Sequence, residues 1–98
     1  MKFKSHIEFE DYVSKKLDKF TDDQLANYFD EERYNAFQKL LKDIGYWYGF
    51  ISGMVFGYAL LGGSVDRKSV HAQYEKCVRE IDTLEPVMDA VFIRIGES

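Results

Sequence analysis

A chain of 98 residues, 46% hydrophobic and 16% aromatic, can fill one core but not two, and its composition is not that of a disordered segment. Its net charge of −4 excludes a sequence-independent nucleic-acid binder, which needs a basic face to neutralise phosphates. Its single cysteine, Cys77, excludes an internal disulfide and suits a reducing compartment.

The opening stretch MKFKSHIEFED meets acidic residues before the apolar core of a signal peptide can form, so the cytoplasm is the expected location. Ser5 followed by Glu8 fits a helix-capping box. Behind it Phe9, Tyr12, Val13, Leu17 and Phe20 keep helical period, which predicts a first helix over about 6–20. Thr21 with Gln24 is a second capping box, and Leu25, Tyr28 and Phe29 give a short helix over about 22–29 its apolar side. Asp30 can cap the next helix, with Glu31 and Glu32 in a first turn where negative charge meets the helix dipole favourably.

Tyr34, Phe37, Leu40, Leu41 and Ile44 then run in helical period into the longest uncharged stretch of the chain, between Asp43 and Asp66. Within it Gly45, Gly49, Gly53 and Gly57 recur at a spacing of four. Each interior glycine costs about 1 kcal/mol against alanine, so a helix that carries four needs a return from packing. The spacing predicts a slanting groove on one face that lets a partner helix approach closely, as in small-xxx-small seams. One helix over about 31–61 is expected, apolar on nearly every face and therefore buried. Gly62 and Gly63 should end it, with Ser64 or Asp66 capping the helix after it.

A third amphipathic pattern, Val70, Tyr74, Cys77, Val78 and Ile81, predicts a helix over about 66–83. Pro86 should break it, because the residue before proline avoids the helical region. Val87, Met88, Val91, Phe92 and Ile95 then form a last helix over about 84–95. The expected fold is all-α: one domain over 1–98, a helical bundle with a long Gly-rich central helix wrapped by shorter amphipathic ones.

The chemistry-bearing residues argue against catalysis. His71 and Glu75 share a helical face at i, i+4, but a metal site needs three or four ligands and no second cluster accompanies them. Cys77 lies in an apolar stripe and turns away from His71, so no base activates the thiol. No phosphate-binding glycine loop is present. The carboxylates read as solvated, with none in an apolar setting of the kind that suits a general acid. No catalytic residue, cofactor or metal is therefore expected.

The segment TDDQLANYFDEERY sets Asp22, Asp23, Asp30, Glu31 and Glu32 around Tyr28 and Tyr34, against one Arg33. Carboxylates that steer encounter, with tyrosines that anchor it, suit docking on a basic protein such as a nuclease or toxin. The expected function is a small non-catalytic inhibitor of the immunity, antitoxin or phage anti-defence type, with no direct nucleic-acid contact. Two alternatives stand beside it. One is a homo-oligomeric assembly component packed through the glycine groove. The other is a small membrane protein spanning with Ile44–Leu61, which the tyrosines and Trp47 spread along the run disfavour.

Overall fold

The computed structural model describes residues 1–61 and 66–98, and its regular structure is entirely helical. Four helices follow one another: α1 (His6–Asp18), α2 (Asp22–Tyr28), α3 (Glu31–Leu61) and α4 (Arg67–Glu97). The all-α expectation holds.

The helix starts are set by local side chains. Ser5 Oγ accepts the Glu8 N–H at 3.1 Å to open α1. Thr21 and Gln24 exchange bonds of 3.1 and 2.9 Å in a reciprocal capping box that opens α2. The carboxylate of Asp30 accepts the Arg33 N–H at 2.7 Å at the start of α3, and that of Asp66 accepts the Lys68 N–H at 3.0 Å at the start of α4. Gly62 and Gly63, expected to end α3, lie outside the described residues.

The last two expected helices are one. The chain runs through Pro86 without a break, and α4 spans 31 residues. Cys77, Ile81, Glu85, Met88, Phe92 and Ile95 recur at spacings of three and four and are all buried, so a single continuous stripe holds both sides of the proline against the core. Pro86 itself faces outward, and Asp82, whose carbonyl loses its N–H partner to the proline ring, is exposed to water. Tertiary packing overrides the local preference.

The core sits at one end of an elongated molecule of 54 × 19 × 19 Å. Phe3, Phe9, Val13, Phe37, Ile44, Tyr48, Ile81, Met88, Phe92 and Ile95 form it, drawn from all the helices except α2 and from the segment before α1. Its aromatic rings interlock: Phe9 stacks on Tyr48 at 5.4 Å, and Phe37 meets Phe92 edge-on at 5.7 Å. The half-buried Leu25, Tyr28 and Phe29 close it at the α2 end. Along α3 no residue of 49–60 is buried, and along α4 none of 66–76. These distal halves project as a two-helix arm. The expected wrapping of α3 by shorter helices therefore stops at Tyr48, because α1 and α2 are too short to follow it outward.

Candidate functional site

α3 carries two apolar seams on opposite sides. At 100° per residue, Ile44, Tyr48, Ile51, Val55 and Tyr58 point one way, at spacings of three and four. All are buried or half-buried except Val55, which is 63% exposed beside the gap between the arm helices. This is the side that α4 covers. Tyr46, Gly49, Phe50, Gly53, Phe56, Gly57 and Leu60 point the other way. Of these, Tyr46 is 61% exposed, Phe50 38%, Phe56 67% and Leu60 70%. A helix with one apolar stripe is satisfied by one neighbour; this one has a second stripe left in solvent.

The four glycines divide accordingly. A Cβ added at Gly45 would meet His6 Nε2 at 3.1 Å, with Phe9 beyond it, so α1 packs closely over this position. At Gly49, Gly53 and Gly57 no neighbouring atom of the described residues lies within 4 Å. The groove expected to seat a helix of the same chain seats one only at its first glycine. Beyond α1 no described residue covers it. Tyr46 and Phe50 flank it with rings 6.2 Å apart.

The acidic-aromatic segment occupies α2 and the first turn of α3. Asp22 and Asp23 are exposed in the first turn of α2, and Glu31 and Glu32 in that of α3. Asp30 is committed to its cap. Tyr28 is half-buried, with the Arg33 guanidinium 5.1 Å over its ring and Arg33 Nη1 donating to the Tyr28 carbonyl at 3.1 Å. The one base of the segment thus covers one of its two tyrosines. Tyr34 remains 52% exposed, edge-on to Phe29 at 6.2 Å.

One carboxylate overturns the expectation that none is in an apolar setting. Glu85 is 3% exposed. Its oxygens accept the Tyr48 hydroxyl and, at 3.2 and 3.4 Å, the Lys2 N–H. The Tyr48 oxygen in turn accepts the Phe3 N–H at 3.2 Å. On either side along α4, Asp82 pairs with the Met1 amino group and Asp89 with Lys2 Nζ. Burial, then the bond to Glu85, pushes the Tyr48 phenol well above its usual range. Every polar group at this node is satisfied from within the fold, and the node clamps the N-terminal segment onto α4. The spacing Asp82, Glu85, Asp89 was the signal for it in the sequence, since i, i+3, i+7 puts all three on one face of a helix.

His71 Nε2 lies 3.0 Å from Glu75 Oε1, both largely exposed. No group of three metal-ligating side chains occurs among the described residues. Cys77 is buried, and burial raises its thiol pKa, which disfavours the thiolate. Between the arm helices, Met54, Val55 and Tyr58 face Val70, His71 and Tyr74 across an open apolar groove of about 320 Å³. No helix among the described residues is long and apolar enough to cross a membrane, which removes the support for a span over Ile44–Leu61.

Comparison with known proteins gives no match: no family model, no curated protein and no solved structure is similar to this chain.

Proposed function

We propose that this chain is a small, non-catalytic, cytoplasmic protein-binding protein whose working surface is the outer face of the α3 arm. One observation carries the reading: α3 has two apolar seams, α4 lies along the inner one, and no described helix covers the outer one beyond Gly45. A contiguous exposed apolar patch of this extent is often the functional surface of a small protein. A partner helix would approach closely along Gly49, Gly53 and Gly57 and cover Phe56 and Leu60 beside the crossing.

A photo-crosslinking side chain placed at Phe56, and in a second variant at Tyr34, tests this in the native cell. Covalent adducts from position 56 and none from position 34 are expected. Adducts from position 34 alone would overturn the arm as the working surface.

A second reading keeps the acidic segment as the docking face of an inhibitor for a basic nuclease or toxin. The half-exposed Tyr34 beside the exposed Glu31 and Glu32 favours it. Charge reversal of Glu31 and Glu32 would then slow association with the basic partner, whereas Tyr34→Ala would speed its release.

A further inference from the structure

We propose that the occupant of the outer α3 face is a second copy of this chain, paired antiparallel about Gly53. The inference rests on the reading of that face as the working surface, and the order of residues along it supplies the argument. Outward from Gly53 along this face, the residues are identical in both directions as far as four positions, and a large apolar-bodied side chain follows at seven on either side. Phe50 and Phe56 stand three residues away, Gly49 and Gly57 four, Tyr46 and Leu60 seven. A two-fold interface requires that wherever residue i meets residue j, j also meets i. Any antiparallel pair of identical helices meets this condition, and centring it on Gly53 sets like on like: Gly53 on Gly53, Phe50 on Phe56, Gly49 on Gly57, with Tyr46 on Leu60 beyond them. Large residues flank glycines throughout, so the two helices can approach closely and interlock.

Charge and area point the same way. No charged residue falls between Asp43 and Asp66, so the pairing buries no ion and sets no like charges together. A foreign partner chosen by charge would find nothing on this strip to recognise. Antiparallel pairing also places the two acid-bearing cores at opposite ends of the assembly, whereas parallel pairing would set them side by side. Tyr46, Phe50, Phe56 and Leu60, exposed by 38–70%, offer about 500 Å² of apolar surface per copy at ordinary side-chain areas. Doubling that reaches about 1,000 Å², the threshold of a specific interface, so the dimer should form in the micromolar range rather than the nanomolar. The strip begins where α1 stops covering Gly45, and no described residue stands in the way of a partner helix at Gly49, Gly53 and Gly57.

Analytical ultracentrifugation of the full chain over a concentration series reads the association directly. The expected mass at high concentration is twice the 11.5 kDa of the chain. Phe56→Glu and Gly53→Leu should each weaken the association by on the order of 100-fold, as loss of a central anchor does. Both positions face solvent in the monomer, so circular dichroism should show the variants fully helical. Orientation is read by disulfide trapping in a Cys77→Ser background. Mixed Tyr46→Cys and Leu60→Cys chains should cross-link to each other, and Leu60→Cys alone should not cross-link to itself.

A chain that stays monomeric at several hundred micromolar overturns the second copy. If the crosslinker at Phe56 still captures a different protein, or the chain binds lipid vesicles through Phe56, the working surface stands with another occupant. A dimer indifferent to Phe56→Glu and Gly53→Leu overturns the face itself. Preferential Leu60→Cys self-cross-linking overturns the antiparallel order.

Discussion

Tyr48 on α3 donates its hydroxyl proton to Glu85 on α4, and the two residues are only 2% and 3% exposed. The pair sits in the middle of the seam between the two long helices. A lone carboxylate in such a position would be strongly unfavourable; its partners here are the phenol and the backbone N–H of Lys2. Tyr48→Phe leaves both Glu85 and the Phe3 N–H short of a partner. Stability should fall by about 1–3 kcal/mol. A double-mutant cycle with Glu85→Gln, read by urea denaturation, should give a coupling energy of at least about 0.5 kcal/mol. Strict additivity would mean that the two side chains do not act as a unit.

The buried phenol and thiol set the response to alkali. Burial raises the pKa of Cys77 above its ordinary 9.0, and burial with the Glu85 bond raises that of Tyr48 above its ordinary 10.0. The fold thus holds both groups protonated, and above pH 9 the unfolded chain binds fewer protons than the folded one. Stability should be fully present below pH 9 and should fall as pH rises through 9 and then 10. The raised Tyr12 and Lys2 act in the same direction. Chemical denaturation between pH 8 and 11 should show the decline, and Tyr48→Phe should flatten its upper part.

The glycines should separate into two classes on substitution. Alanine at Gly49, Gly53 or Gly57 meets nothing within 4 Å among the described residues and gains helix propensity. Each should raise monomer stability by up to about 1 kcal/mol. Gly45→Ala should gain less, because its Cβ must displace the His6 ring. Thermal melts at concentrations below self-association measure the difference. Equal gains at all four positions would contradict the close packing of α1 over Gly45.

Pro86 sits inside α4 on its exposed side. Pro86→Ala restores the N–H for the Asp82 carbonyl and removes the ring clash. The expected gain is about 1–3 kcal/mol, with unchanged helix content. A loss of stability would show that the ring makes a contact worth more than the hydrogen bond it removes.

Local chemistry was legible in the sequence and distant pairing was not. The caps at Ser5, Thr21, Asp30 and Asp66 depend on residues two or three positions on, and each is where the pattern places it. The break expected at Pro86 fails because the buried stripe from Cys77 to Ile95 lies on the other side of the helix, and the gain from packing it outweighs one lost bond. Glu85 looked solvated because its partners are 37 and 83 residues away. The distal glycine run was expected to be buried because it is apolar all round. Apolarity reports that a face favours cover, not that the chain is long enough to supply it, and α1 and α2 are not.

The clamp of Lys2 and Phe3 onto Glu85 and Tyr48 makes closure of the core a late event in synthesis. Lys2 and Phe3 precede α4 in synthesis, and the Lys2 amide has no native partner until Glu85 has been made. Once formed, the clamp ties this segment to α3 and α4, so the Lys2 amide cannot be released without stripping the buried carboxylate of a donor, nor the Phe3 amide without leaving its partner, the Tyr48 oxygen. Amides outside regular structure normally open at little free-energy cost. Here they should exchange with deuterium about as slowly as the centre of α4, reporting unfolding of the whole core rather than local opening.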